Sequence, residues 1–149
     1  MDWKECCGKR IAKEVDIDEE LISSLGKTSK NKLKSSEELI MNEINASSKV
    51  TLAYDSLREL LEALSLKNKY KIYNHDCYTP FLKEVLNESE KGDDFDELRK
   101  IRNGLNYYGK DITPEEAEEI IKRIKKLRES FLHMLDKNIW ANFLLKKVI

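Results

Sequence analysis

Between Thr113 and Met134 apolar residues recur every three or four positions, at Ala117, Ile120, Ile121, Ile124, Leu127, Phe131 and Met134. At about 100° per residue these side chains line one stripe, which an α-helix can lay against a common core. Thr113-Pro114-Glu115-Glu116 supplies the start. It offers a hydroxyl for the N-cap, a proline where no amide hydrogen is needed, and a glutamate three residues after the cap. Glu118 and Glu119 stand four residues before Lys122 and Arg123, the spacing of ion pairs along a solvated face. One helix cannot bury such a stripe alone, so the rest of the chain must supply partners.

Those partners are legible as further helical periods. Asp18 caps a predicted helix reaching about Ser36, with Leu21, Ile22, Leu25 and Leu33 inward and Gly26 as a weak point. Leu39, Ile40, Met41 and Ile44 form a weaker stretch before Ser47 and Ser48, where a new cap is available. Val50, Ala53, Tyr54, Leu57, Leu60, Leu61 and Leu64 then predict a central helix. Lys67 to Tyr73 breaks the period, and its alternation of Tyr70 and Ile72 reads as an extended link for want of a partner strand. Thr79-Pro80 predicts a short helix with Phe81, Leu82, Val85 and Leu86 inward, and Asn74 is an alternative start.

Gly92-Asp93-Asp94 reads as a separator, with either aspartate capping a helix that turns Phe95, Leu98, Ile101, Leu105 and Tyr108 inward. A final helix over 138–149, carrying Ile139, Trp140, Phe143 and Leu144, suits packing on its own core or on a neighbouring subunit. Residues 1–16 read as an arm pinned by Trp3 and Ile11. The expectation is an all-α, antiparallel up-down bundle of four to five main helices. One domain would span 1–149, with its core at about 18–135.

Composition agrees and excludes other classes. Of 149 residues 37% are charged, with two Pro and five Gly, which favours long exposed helices over a loop-rich β design. Lys and Arg total 27 against 28 Asp and Glu, so no global field draws in nucleic acid and no DNA sequence readout is expected. Basic clusters at Lys27, Lys30, Lys32 and Lys34, and at Lys122, Arg123, Lys125, Lys126 and Arg128, read as solvated helix faces. No apolar run approaches the roughly 20 residues needed to cross a bilayer. Cys6, Cys7 and Cys77 are odd in number and lack a disulfide-framework spacing, so a reducing cytoplasm is the expected location. A metal set of Cys6, Cys7, His75 and Cys77 is disfavoured because adjacent cysteines suit tetrahedral ligation poorly. No cofactor is expected.

The segment Leu98-Arg-Lys-Ile-Arg-Asn-Gly-Leu-Asn-Tyr-Tyr-Gly109 carries the chemistry-bearing side chains. Arg102 and Asn106 fall together along the border of the apolar stripe, and Asn103 and Tyr107 share a further face. A planar guanidinium fork, two amides and a phenol suit a phosphate or the edge and face of a base. The same residues also fit a plain helix end, with Arg102 paired to a carboxylate and Gly109 as cap. Gly104, mid-turn, costs on the order of 1 kcal/mol of helix stability and points to close packing or a local irregularity.

Arg102-Asn103-Gly104-Leu105-Asn106-Tyr107 near a helix end resembles the motif of the HEPN superfamily of higher eukaryote and prokaryote nucleotide-binding proteins. Ala53-Tyr-Asp-Ser-Leu-Arg-Glu-Leu60 followed by Tyr70-Lys-Ile-Tyr-Asn-His75 is similar to the helix and connection that precede that motif. The likeness covers roughly residues 18 to 135. It implies a bundle that often forms a homodimer, with two motif copies facing one cleft. Relatives include metal-independent ribonucleases, RNA-binding toxins and subunits accompanying minimal nucleotidyltransferases.

In the ribonucleases an arginine and a histidine carry the reaction, and the resemblance transfers the arginine to Arg102. Asn103 matches the polar residue that follows it. Tyr107 occupies the histidine position, and a phenol with an ordinary pKa near ~10 is a poor base beside an imidazole near ~6.5. His75 offers an imidazole from a neighbouring element, although its place before Pro80 also fits a cap or packing role; His133 reads as packed or surface.

The implied function is an RNA- or nucleotide-binding module using Arg102, Asn103, Asn106 and Tyr107. The alternatives are a ribonuclease with Tyr107 or His75 moving protons, and a partner in a toxin–antitoxin or two-chain nucleotidyltransferase system. The carboxylate-bearing Gly-Ser motif of an autonomous nucleotidyltransferase is absent from the sequence.

Overall fold

The structure, a computed structural model, describes residues 1–107 and 111–148, with side chains described over 1–105 and 111–136. Helix α2 (Glu19–Glu38) starts where Asp18 accepts a hydrogen bond from the Leu21 amide. Helix α3 (Ala46–Lys67) follows a short connection in which the Asn42 side chain accepts from the Asn45 amide. The α3 N-cap is Asn45 rather than Ser47 or Ser48, because Lys49 folds back to donate to the Leu39 carbonyl at 2.6 Å and so closes the end of α2. This turn leaves Ile40 and Ile44 exposed.

Helix α3 is the central element predicted for it. Leu57, Leu60, Leu61 and Leu64 are fully buried, each removing apolar surface worth about 1.5–3 kcal/mol. It packs between α2 and α6 (Pro114–Val148). Thr113 caps α6 as expected, its hydroxyl accepting from the Glu116 amide at 3.1 Å. No break separates a terminal helix: α6 continues through 138–148, and the side chains of Ile139, Trp140, Phe143 and Leu144 lie outside the described residues.

Three expectations are corrected. First, the N-terminal arm is built structure, with α1 (Trp3–Gly8) capped by Asp2 and strand β1 (Ala12–Glu14) after it. Strand β2 (Tyr70–Ile72) pairs with β1 antiparallel, Ala12 opposite Ile72 and Glu14 opposite Tyr70, so 67–73 is not a bare link. Its partner lies some 60 residues upstream, where local periodicity cannot reveal it. Arg10 and Lys69, both at positive φ, turn the chain out of α1 and α3 into these strands.

Second, Gly92 is no separator. Helix α5 (Ser89–Tyr107) runs straight through it, and a Cβ there would sit 2.5 Å from Lys83 Cγ. The glycine lets α5 approach the preceding segment, in which helix α4 (Tyr78–Pro80) is flanked by a 3₁₀ turn (His75–Cys77) and a π-helical turn (Phe81–Val85). That segment begins at Asn74, the alternative start, whose side chain accepts from the Asp76 amide.

Third, Cys6 and Cys77 form a disulfide across a sequence separation of 71, with Cα atoms 6.1 Å apart. It ties α1 to the 3₁₀ turn and removes two thiolates from the imagined metal set. Cys6 and Cys77 are therefore not the unpaired thiols on which the expectation of a reducing cytoplasm rested. Trp3 adds to the tie, its ring 5.1 Å from Tyr70 and 5.7 Å from Phe81. Among the described residues no helix is long and apolar enough to cross a membrane.

Candidate functional site

Polar side chains from three elements converge where α3, α5 and the 75–85 segment meet. Helix α3 contributes Tyr54, Arg58 and Glu62 at successive i,i+4 positions, so they share one face, with Asp55 beside them. Helix α5 contributes Asp96, Arg99 and Arg102, one turn apart in sequence. The 3₁₀ turn adds His75 and Asp76.

Arg99 is the best-fastened cation, bonding Asp96 and Asp76 each at 2.9 Å. Arg58 pairs with Glu62 at 3.2 Å. Arg102 lies 3.6 Å from Asp55, a longer ion pair than either Arg99 bond, with its guanidinium carbon 5.6 Å from the Tyr54 ring centre. The three arginine side chains keep between 17% and 21% of their surface in contact with solvent, so the cluster is lodged at the rim of the core.

Two phenols floor the cluster. Burial pushes the Tyr54 hydroxyl up to about 12 against the opposing pull of Arg102, Arg99 and Arg58. Burial likewise raises Tyr78, aided by Glu62. Tyr54 stacks on Phe95 at 5.9 Å, and Tyr78 meets Phe95 edge-on at 6.1 Å. Neither phenol ionises at neutral pH. His75 sits over Tyr78 at 5.9 Å, half-buried. Burial first, then the positive charge of Arg58 and Arg102, holds its imidazole below the ordinary range, with Asp55 and Asp76 opposing. A neutral imidazole within the field of Arg102 therefore results.

Arg102 does not act alone, because Arg99 and Arg58 also bear on Tyr54. It also has a carboxylate partner, as the plain helix-end reading required. Asn103 is half-buried on α5, while the side chains of Asn106 and Tyr107, and all of Tyr108 and Gly109, lie outside the described residues. Gly104 lines an apolar cavity of about 400 Å³ between α5 and the start of α6, with Ile101, Leu105, Ile112 and Ile120. Sequence reasoning missed Arg58, Arg99 and Asp55. The i,i+4 row Tyr54-Arg58-Glu62 was the available signal, hidden because it borders the strongest apolar stripe of its helix. His133, exposed on α6, lines a separate hollow with Met134 and Leu86.

A family model described as the HEPN domain matches residues 22–135. The chain belongs to the HEPN domain family. The match spans the helices that build the cluster and nearly the whole region of the motif-based resemblance. The HEPN assignment accounts for the all-α bundle, with α1 and β1 lying outside the matched residues. No curated protein and no solved structure matches the chain.

Proposed function

We propose that this HEPN domain binds RNA or a phosphate-bearing nucleotide, holding it with Arg102, Asn103, Asn106 and Tyr107 and without efficient cleavage. The observation that carries the reading is the gathering of Arg58, Arg99 and Arg102 at the rim of the core, each about one fifth exposed. Guanidinium forks suit phosphate geometry, and a phosphate can take the place of the carboxylates that pair with them. Arg102 stands among the three arginines with Asp55 3.6 Å away and the Tyr54 ring beside it. A homodimer, the arrangement the resemblance implies, would bring two such faces to one ligand.

A second reading is favoured by His75. A neutral imidazole in the field of Arg102 can take the proton of a ribose 2′-hydroxyl as that oxygen bonds the adjacent phosphorus and the bond from phosphorus to the 5′-oxygen breaks. The leaving oxygen takes a proton from water while the guanidinium steadies the charge on the phosphoryl oxygens. This would make the protein a metal-independent ribonuclease whose imidazole comes from outside the motif helix.

One experiment separates these readings. Labelled single-stranded RNA and nucleotides are incubated with the protein in chelator. Binding that Arg102→Ala abolishes, with the RNA intact, is the expected result. Cleavage lost in both Arg102→Ala and His75→Ala establishes the ribonuclease instead. Absence of both, with a protein chain co-purifying, points to a toxin–antitoxin or nucleotidyltransferase partner and ends the binding proposal.

A further inference from the structure

The β1–β2 ribbon has an inner and an outer face. Ala12 and Ile72, directly opposite each other, point inward and are buried. The alternation of strand side chains then sends Lys13, Lys71 and Tyr73 to the outer face. Lys13 and Lys71 are themselves directly opposite, a like-charge pairing that disfavours the ribbon. Among the described residues neither has an ion-pair partner, since no carboxylate reaches them. Both ammonium groups instead lie near the Tyr73 ring, 5.5 and 5.7 Å from its centre. Tyr73 as a residue is 58% exposed.

An exposed aromatic side chain beside two lysines without ion-pair partners is the composition of a single-strand stacking site, where the ring takes a base in exchange for the ammonium groups and these take its phosphates. The ribbon is also held firmly enough to present it. The Tyr73 amide donates to the Ile11 carbonyl at 2.8 Å, Trp3 packs beneath on Tyr70 and Phe81, and the Cys6–Cys77 disulfide anchors α1 to the turn that follows. Tyr73 stands two residues before His75, within about 7 Å of backbone reach. One strand can therefore touch both the ring and the arginine cluster.

We propose that Tyr73, with Lys13 and Lys71, forms a stacking platform for an unpaired RNA base next to the Arg58–Arg99–Arg102 cluster. This rests on the RNA-binding reading above and assigns the ribbon as its second contact. The platform recognises single-stranded over duplex RNA, because a paired base cannot reach the ring.

The test uses the full chain and a single-stranded RNA carrying 2-aminopurine, whose fluorescence falls on stacking. Wild-type protein should quench the probe. Tyr73→Leu should lose the quenching and weaken binding about 5- to 150-fold, the span of one stacked base, while Tyr73→Phe retains both. Lys13→Ala with Lys71→Ala should lower the slope of log affinity against log salt by about 1.4. Circular dichroism of Tyr73→Leu should match wild type, since the ring lies outside the core. If Tyr73→Leu binds and quenches like wild type while Arg102→Ala does not bind, the platform is wrong and the arginine site stands. Wild-type protein that binds no RNA overturns both.

Discussion

The Arg102 guanidinium lies 5.6 Å from the centre of the Tyr54 ring, and the hydroxyl of that ring is buried with no hydrogen-bond partner among the described residues. The ring serves the cluster through its face, whereas the hydroxyl is a desolvated group with nothing to repay its burial. Tyr54→Phe keeps the face and removes the unsatisfied oxygen. Stability should hold or rise by about 1 kcal/mol in urea unfolding. A clear fall in the urea midpoint would show that the hydroxyl has a partner essential to the fold.

His75 makes stability depend on pH. Its imidazole is held below 6.5 in the folded protein, so the unfolded chain binds the proton more readily. The stabilisation from the neutral imidazole is complete above 6.5 and is lost as pH falls through the lower, folded value. The melting temperature should therefore drop on acidification from about pH 7.5 to about pH 5, and less so in His75→Gln. NMR titration of the ring should give a midpoint below 6.5, moving upward in Arg58→Gln; an unmoved midpoint rejects the arginine as a cause.

Arg128, read from the sequence as part of a solvated basic face, is buried in the α2–α3–α6 junction. Its Nε donates to the Ser56 hydroxyl at 2.8 Å and a terminal nitrogen to the Ser29 hydroxyl at 3.2 Å. The two serines also bond each other's carbonyls at 2.7 Å, letting α2 and α3 approach closely. Ser56→Ala strips an acceptor from a buried cation and should cost about 2–3 kcal/mol, measurable by chemical denaturation. A cost under about 0.5 kcal/mol would mean that water serves the guanidinium equally well.

The Cys6–Cys77 disulfide closes a loop of about 70 residues that contains α2 and α3. Reduction, or Cys6→Ser, should lower stability by about 2–4 kcal/mol, chiefly by freeing the unfolded chain. Thermal melts with and without dithiothreitol measure it. Equal melts would show that the Trp3–Tyr70–Phe81 packing alone secures the N-terminus.

Regions with a local signal were legible. Asp18 before an apolar period, Thr113-Pro114 before the long stripe, and the leucine rows of α3 each specify a helix from residues within a few turns of one another. The resemblance around Arg102 could be read because its residues adjoin in sequence, and the family it points to is the one whose model matches residues 22–135. Gly92 misled, since a glycine that ends one helix and a glycine that lets another pack closely look alike until Lys83 is seen against it.

The sequence by itself determined an all-α bundle of HEPN type, because helical period and the spacing of neighbouring residues are short-range properties. Tertiary structure alone decided three pairings: β1 with β2, Cys6 with Cys77, and His75 with Arg58 and Arg102. Each joins residues that are brought together only when α3 and α5 pack against the 75–85 segment and α1 closes over it. No periodicity encodes that closure, which depends on burial and charge summed over the whole chain.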